Sequence, residues 1–169
     1  MTMRLHVFFL LLAFCVTSSC ARKQDVITTF ILIRHAEKAS DGTDDPDLKP
    51  EGVERANKLV SMFADTPVAA IYATNFKRTR NTVTPLANVR KLTVQNYEAF
   101  QAEEIEKMLA EHAGETILIC GHSNNIPWIA NLLIGKEQYS EYQDNEYGTM
   151  LLVSVVKKGT LTSTFRLHY

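Results

Sequence analysis

The sequence has few cysteines, no long hydrophobic run and no excess of charge of one sign. Three cysteines, at positions 15, 20 and 120, are too few for a disulfide framework. The 18 Lys and Arg residues nearly balance the 19 Asp and Glu residues, so bulk electrostatics do not indicate nucleic-acid binding. There is no internal repeat and no low-complexity tract. What is present, 46% hydrophobic residues over 169 positions, suits one globular domain.

The longest apolar run covers residues 5–16, broken only by His6, and is well under the ~20 residues that a membrane-spanning helix needs. Arg4 precedes the run, and small residues follow it up to Cys20. A basic start, a short apolar core and a small-residue end form a secretory signal peptide. We therefore expect residues 1–20 to be a leader and the protein to be exported to a bacterial cell envelope.

Cys20 lies where a bacterial lipoprotein leader would be cut and acylated. Thr17 occupies the third position before it, where leucine is usual, so the alternative is plain secretion with cleavage nearby. We expect a lipid anchor on Cys20, a short tether over residues 21–25 and a single domain over residues 26–169.

Within that domain, β-branched apolar runs alternate with stretches of helical periodicity. Strands are predicted at residues 26–33, 68–73, 91–94, 116–120, 150–156 and 161–167. Helices are predicted at residues 50–63, 103–112 and 125–134, and a further helix is predicted to follow Thr74 or Asn75 and to run to about residue 86. This alternation predicts an α/β three-layer sandwich, with a mostly parallel central sheet and helices on both faces. The Lys158-Gly159 pair predicts that the last two strands form an antiparallel hairpin.

Some features within these elements are also predicted. Thr74 or Asn75 can cap the second helix, and Pro85 is expected to kink it or end it early. Cys120 is expected to be a buried strand residue. Trp128 is expected to belong to the core rather than to form a platform for substrate.

Two apolar runs break into a histidine beside small or polar residues. The first, residues 32–38, contains Arg34 and His35, and the second, residues 119–124, contains His122. In an open α/β sheet, ligands bind beyond the carboxyl ends of the strands. Two histidines at two such ends, with an arginine beside the first, indicate a pocket for a phosphoryl group.

Phosphoryl transfer without a metal ion needs cations, a nucleophile and an acid for the leaving oxygen. Arg34 and Arg78 can supply the cations, because a guanidinium group binds phosphate oxygens in a fork. His35 can act as the nucleophile when its imidazole is neutral, and nearby positive charge lowers the pKa of a histidine. His122 can donate to the charge that develops on the phosphoryl group.

Four motifs, in this order, resemble those of the histidine phosphatase superfamily, which is also called phosphoglycerate mutase-like. They are Arg34-His35-Ala36, Leu48-Lys49-Pro50-Glu51-Gly52, the run 71–79 with Thr82, and Gly121-His122-Ser123. The resemblance implies the phosphoglycerate mutase-like fold and a phosphorylated intermediate on His35. It also implies that Arg34, Arg78, His122 and Ser123 bind the phosphoryl group and that no metal ion or other cofactor is required.

The sequence departs from the family pattern at three positions. Ala36 replaces the usual glycine, and Lys49 replaces the usual capping Thr or Ser, so the first helix is expected to be poorly capped. Asp41 falls where an asparagine is often found. Because a carboxylate would repel phosphate, we expect either that Asp41 points away or that the register with the family pattern differs here. The acidic run 41–47 is not expected to bind calcium, because it lacks the ligand spacing of a calcium-binding loop.

The proton donor to the leaving group is less clearly indicated. In many family members it is a carboxylate after the third strand, and Glu98 is the closest candidate for that role. Glu37 is the second candidate.

The function that follows is that of an exported phosphohydrolase, which cleaves phosphomonoesters or phosphoramidates through His35. The short stretch between Arg78 and His122 leaves little room for a large cap over the substrate. In this respect the chain resembles the short bacterial phosphohistidine phosphatases. The expected partner is a phosphorylated small molecule or phosphoprotein; nucleic acid is not expected, and a membrane only through the lipid anchor. A non-catalytic phosphate-binding or scaffold protein of the same fold, or a phosphomutase, is the alternative.

Overall fold

The computed structural model describes residues 25–169. The predicted leader with Cys20, and residues 21–24 of the predicted tether, lie outside the described residues. Between residues 25 and 169, no helix has both the length and the apolar character that crossing a membrane requires.

The described residues form six strands and four helices, in the predicted order. The strands are β1 (Thr28–Arg34), β2 (Ala70–Ala73), β3 (Val94–Asn96), β4 (Thr116–Gly121), β5 (Thr149–Lys157) and β6 (Leu161–His168). The helices are α1 (Pro50–Met62), α2 (Lys77–Arg90), α3 (Ala102–Glu111) and α4 (Asn125–Ile134). The largest differences from the predicted bounds are that β3 lies later in the chain and that α2 continues beyond its predicted end.

The six strands form one mixed sheet in the order β3-β2-β4-β1-β5-β6. β4 pairs in parallel with both β1 and β2, and β3 pairs in parallel with β2. β5 runs antiparallel to β1, and β6 pairs antiparallel with β5 as the predicted hairpin. In register, Arg34 at the end of β1 lies opposite Gly121 at the end of β4. The carboxyl ends of β1, β2 and β4 therefore meet at one edge of the sheet.

Apolar side chains of alternating strand positions pack on opposite faces of the sheet, and each face is covered by two helices. Phe30 and Leu32 share a core with side chains of α3 and α4. Ile31 and Ile33 share the other core with side chains of α1 and α2. The predicted three-layer sandwich is thus confirmed, and Cys120 is fully buried in it, as predicted.

The first turn of α1 packs closely against the loop after β1. A Cβ atom at Gly52 would overlap the carbonyl oxygen of Glu37, so only glycine allows this approach. Lys49 precedes the helix without a side-chain capping hydrogen bond, as predicted. Pro50 occupies the first turn, where a missing N–H group costs nothing.

The predicted cap of α2 is wrong. Phe76, not Thr74 or Asn75, immediately precedes the helix, and its side chain makes no capping bond. The Asp45 carboxylate accepts the Lys77 N–H instead, at 2.9 Å and 3.2 Å from its two oxygens. A residue 32 positions away supplies the acceptor, which local sequence patterns do not reveal.

Pro85 does not end α2 early, so that one of its two predicted effects is wrong. The helix continues to Arg90 and stops at Lys91, which adopts the left-handed conformation with φ 56°. Val83 and Leu86, on either side of Pro85, are fully buried against the sheet. This burial offsets the hydrogen bond that a proline inside a helix forfeits.

Candidate functional site

The paired ends of β1 and β4 bring His35 and His122 together. The N–H group of His35 donates to the carbonyl oxygen of Gly121 at 2.9 Å, which extends the strand pairing by one residue. The two imidazole ring centroids are 5.5 Å apart, with an angle of 68° between the ring planes. The parallel pairing of β1 and β4 therefore places the two histidines close together, as expected.

His35 is buried, with 4% of its surface exposed. Its Nδ1 atom lies 2.8 Å from the carbonyl oxygen of Ala36. Because a carbonyl only accepts, Nδ1 carries the proton and Nε2 keeps its lone pair. Burial, reinforced by the positive charge of Arg34 and Arg78, lowers the pKa of His35 to about 3. The ring is therefore neutral at physiological pH, in the tautomer that a nucleophile requires.

A chain of three hydroxyl and imidazole groups orients His122. The Thr79 hydroxyl donates to the carbonyl oxygen of Thr74 at 2.8 Å, and the Thr74 hydroxyl donates to Thr79 Oγ1 at 3.1 Å. Thr74 Oγ1 is therefore left to accept a hydrogen bond from His122 Nε2, 2.9 Å away. Burial, with the charges of Arg78 and Arg34, lowers the pKa of His122 to about 4. His122 is thus also neutral in the free protein, with its Nδ1 atom able to take up a proton.

Arg34 is 4% exposed and joins the sheet edge to the loop before β5. Its Nη1 atom donates to the carbonyl oxygens of Gln143, Asp144 and Glu146, at 2.7 Å, 3.3 Å and 3.0 Å. Its guanidinium carbon lies 4.3 Å from the centre of the Tyr147 ring. The Nε atom of Arg34 is buried without a hydrogen-bond partner among the described residues.

The guanidinium group of Arg78 lies between an aromatic ring and a carboxylate. It stacks 4.3 Å from the centre of the Phe76 ring, and Nη1 is 3.6 Å from Asp45. Asp41, four residues earlier, is exposed and accepts hydrogen bonds from the N–H and hydroxyl groups of Thr43 instead. Asp41 thus has local partners, in agreement with the expectation that it points away from the phosphoryl group.

The predicted phosphoryl-binding residues line one cavity of about 380 Å³, which we call the phosphoryl cavity. Its lining is Arg34, His35, Lys38, Phe76, Arg78, Ala99, Phe100, His122, Ser123, Asn124 and Asp144. Three of these side chains are Lys or Arg. Sequence reasoning did not single out Lys38, Phe76 or Asp144 for this site. Lys38 and Phe76 lie within or beside the recognised motifs, but Asp144 follows α4 in a loop without any local signal.

Neither of the two predicted acids is among the residues that line the phosphoryl cavity. Glu98 is exposed, and only its successors Ala99 and Phe100 contribute to the lining. The Glu37 carboxylate is paired with Arg55, at 2.6 Å from Nη2, and this pairing lowers the pKa of Glu37. A carboxyl group with a lowered pKa is a poor proton donor. Asp144 is the one carboxylate in the lining of the cavity within the described chain.

In the part of the chain that the structure describes, no group of three or more His, Cys, Asp or Glu side chains is arranged to hold a metal ion. The chemistry available in the phosphoryl cavity is that of two arginines, one lysine, two neutral imidazoles and one carboxylate.

The sheet order and the two helical layers define an α/β fold of the phosphoglycerate mutase-like kind. Residues 30–102 match the family model of the histidine phosphatase superfamily (branch 1). The matched segment includes Arg34, His35 and Arg78 and ends before His122. The resemblance that the four sequence motifs predict is thereby confirmed.

Solved structures share this fold over most of the chain. A proposed phosphohistidine phosphatase SixA from Nakamurella multipartitia is 21% identical, with a TM-score of 0.57, covering 84% of this chain and 96% of that chain. The protein histidine phosphatase SixA complexed with tungstate is 12% identical, with a TM-score of 0.67 and coverages of 83% and 96%. A mutant phosphoserine phosphatase from Entamoeba histolytica in complex with phosphoserine is 15% identical, with a TM-score of 0.64 and coverages of 81% and 94%. No curated protein sequence matches the chain significantly.

The lowered pKa values of His35 and His122 predict a loss of stability at mildly acidic pH. Below pH 6.5 the unfolded chain binds protons at these histidines, whereas the folded protein does not until the pH approaches 3 to 4. The free energy of unfolding should therefore fall as the pH falls, by up to about 1.4 kcal/mol per pH unit for each histidine. Urea unfolding at pH 7, 6 and 5 measures this slope.

The range above pH 5 isolates the histidines, because carboxyl groups with pKa values of about 4 stay ionised there. The variant His35→Gln should show a clearly shallower slope. The matched control His168→Gln, at an exposed histidine of β6, should follow the unmodified protein. A slope that His35→Gln leaves unchanged would contradict the neutral, buried state of His35.

Proposed function

We propose that this protein is an exported phosphohydrolase that cleaves phosphomonoesters or phosphoramidates through a phosphohistidine intermediate on His35. The observation that carries the proposal is a neutral imidazole with a free Nε2 atom, placed in the same cavity as two arginines. Lys38 adds a third positive charge to the lining of that cavity, which favours a bound anion. The fold that the chain shares with a phosphohistidine phosphatase bound to tungstate, a tetrahedral oxyanion, also supports it.

The proposed reaction has two displacement steps. His35 Nε2 attacks phosphorus, and the bond from phosphorus to the leaving oxygen or nitrogen breaks while the leaving group takes up a proton. Water then attacks the phosphohistidine, the N–P bond breaks, and inorganic phosphate is released with His35 neutral again. Arg34 and Arg78 hold the non-bridging oxygens, and Ser123 lies beside them in the cavity. His122 stabilises the charge that develops on the phosphoryl group.

Metal independence is part of this proposal, because the cations that the reaction needs are supplied by the arginines. The assay that tests the function measures inorganic phosphate released from an aryl phosphate and from a phosphoramidate, with and without a chelator. Absence of release from both, across pH, would reject the proposal. Isomerisation of a substrate faster than its hydrolysis would identify a phosphomutase instead.

The proton donor can be identified by comparing two carboxamide variants. Glu98 is the residue that the family pattern indicates, whereas Asp144 is the carboxylate that lines the phosphoryl cavity. Loss of the acid should lower kcat about 10²-fold or more for an alkyl phosphate and far less for 4-nitrophenyl phosphate, whose leaving group needs no proton. We expect this split for Asp144→Asn or Glu98→Gln, but not for both.

The split is measured as the ratio of kcat values on the two substrates, with Glu54→Gln as a control at an exposed residue of α1. Equal losses on both substrates would indicate damage to binding or folding rather than loss of an acid. An unchanged ratio in both variants would remove Glu98 and Asp144 from this role.

Export and a lipid anchor on Cys20 also belong to the proposal, although Cys20 lies outside the described residues. In a bacterial host, the full chain should incorporate labelled palmitate and fractionate with membranes. Cys20→Ser should abolish both the label and the membrane fractionation. Membrane association that survives this substitution would contradict the anchor, and a secreted, unlabelled protein would support plain cleavage nearby.

A further inference from the structure

A second cavity, also of about 380 Å³, adjoins the phosphoryl cavity and has a different character. We call it the aromatic cavity. It is lined by Phe100, Asn124, Pro127, Trp128, Asn131, Glu137, Gln138, Tyr139, Ser140 and Glu141. Phe100 and Asn124 line both cavities. The two cavities therefore lie next to each other and meet at Phe100 and Asn124.

Phe100 is an unusual residue at the junction of the two cavities. Its φ angle is 61°, in the left-handed region that phenylalanine rarely adopts, and 49% of its surface is exposed. Its ring meets the partly buried Trp128 edge to face, with 5.4 Å between ring centroids. A strained backbone that holds an aromatic ring in solvent costs stability, and such features cluster at ligand-binding sites. The expectation that Trp128 serves only the core is therefore incomplete, since Trp128 also lines this cavity.

The far wall of the aromatic cavity is held in place by one buried amide. Asn131 Nδ2 donates to the Glu137 carboxylate at 2.8 Å and to the carbonyl oxygen of Tyr139 at 2.9 Å. Its Oδ1 atom accepts the N–H groups of Gln138 and Tyr139 at 3.0 Å and 2.9 Å. All four hydrogen-bonding positions of the amide are thus used on a single loop. The wall is pre-formed, which lowers the entropic cost of binding there.

The two cavities carry opposite charge. Arg34, Arg78 and Lys38 line the phosphoryl cavity, whereas the charged side chains that line the aromatic cavity are Glu137 and Glu141. Positive charge suits the phosphoryl group. The carboxylates repel a second phosphate or a carboxylate on the rest of the substrate, and the aromatic rings favour the flat face of a ring.

We infer that the aromatic cavity binds the leaving group of the substrate, and that it selects an uncharged ring, aryl or sugar, over a leaving group with a negative charge. This inference rests on the proposed phosphohydrolase function, because the phosphoryl cavity positions the other end of the molecule. It assigns Phe100 and Trp128 to substrate binding and Glu137 and Glu141 to the exclusion of anionic substrates.

Steady-state kinetics with phenyl phosphate, glucose 6-phosphate and 3-phosphoglycerate test the selection. Phe100→Ala should raise KM for the two ring substrates about two- to tenfold, as expected for loss of an aromatic contact. Because Phe100 also lines the phosphoryl cavity, the same substitution should raise KM for 3-phosphoglycerate too, but by a smaller factor. Phe165→Ala is the matched control, because Phe165 is 62% exposed on β6 and lines neither cavity. A larger effect on phenyl phosphate or on glucose 6-phosphate distinguishes an aryl from a sugar ring.

The acidic wall is tested with the double variant Glu137→Gln, Glu141→Gln. It should lower KM for 3-phosphoglycerate at least about threefold relative to KM for phenyl phosphate, since removal of like charge helps the anionic leaving group most. Glu54→Gln again serves as the exposed control. Equal effects of either set of variants on all three substrates would overturn the inference.

A binding experiment separates failure of this inference from failure of the proposed function. Trp128 is the only tryptophan in the sequence, so the tryptophan emission of the protein reports directly on the aromatic cavity. Phenyl phosphate should shift that emission in the His35→Ala variant, whereas inorganic phosphate should compete for the site without causing the shift. The same shift from both would overturn the inference even if hydrolysis is normal. If phenyl phosphate alone causes the shift and the unmodified protein hydrolyses no phosphate ester, the aromatic cavity is supported and the phosphohydrolase is rejected.

Discussion

Replacing His35 with alanine is expected to reduce phosphate release from an aryl phosphate by a factor on the order of 10⁴ or more. The effect is large because the substitution removes the atom that forms the bond to phosphorus, and the remaining cations can only bind the substrate. The lone pair of His35 Nε2 is free to attack, because the ring proton is on Nδ1, where it is donated to the carbonyl oxygen of Ala36. Initial rates with 4-nitrophenyl phosphate at saturating concentration measure the effect.

Two further measurements make this prediction specific. The unmodified protein, quenched in alkali during turnover of labelled substrate, should carry a base-stable phosphoryl label that His35→Ala lacks. His168→Ala, at an exposed histidine far along the chain on β6, should keep the rate of the unmodified protein. If His35→Ala hydrolyses the substrate at the normal rate, the proposed mechanism is wrong.

Replacing His122 with alanine is expected to lower kcat by about 10²- to 10³-fold, the usual cost of removing one donor to developing negative charge. His122 is neutral in the free protein, with a pKa lowered to about 4. A bound phosphoryl dianion offsets the positive field of Arg34 and Arg78, which favours a proton on His122 and a stronger donor. The loss should therefore fall on kcat more than on KM, which steady-state kinetics resolve.

His112→Asn is the matched control for this substitution. His112 is also a largely buried histidine, bonded to the Tyr72 hydroxyl at 2.9 Å and to Glu115 at 2.8 Å, but it lines neither cavity. It should affect stability without changing kcat. An equal fall of kcat in both variants would mean that His122 acts through the fold rather than through the phosphoryl group.

The loop between α4 and β5 links the two proposed sites. Arg34 holds its residues 143–146 at the phosphoryl cavity through three carbonyl oxygens. Asn131 holds its residues 137–139 at the aromatic cavity, and the N–H group of Tyr142 donates to the carbonyl oxygen of Ser123 at 3.0 Å. One surface segment is therefore held by Arg34 of β1, by Asn131 of α4 and by Ser123 between β4 and α4, which positions a wall of each cavity.

Much of the fold could be predicted from the sequence because its signals are local. The apolar runs of β1 and β4 and the helical stretch of α4 are short-range patterns, and α4 lies at the predicted residues 125–134. The placement of Arg34, His35 and His122 followed as well, because side chains that end neighbouring parallel strands share one sheet edge. The elements that were predicted least well are β3 and the two ends of α2, where partners distant in sequence outweigh local preference.

The sequence alone determined the order of strands and helices, because hydrophobic periodicity depends on neighbouring residues. It also determined which side chains end β1 and β4, since these follow the apolar runs directly. Only the tertiary structure decided that Asp144, rather than Glu98, lines the phosphoryl cavity, and that Phe100 and Trp128 meet beside it. The physical reason is that these positions depend on contacts between residues far apart in the chain, such as the hydrogen bond from Arg34 to Gln143 across 109 positions. Such contacts form only when the strands assemble into the sheet, and no local sequence pattern predicts them.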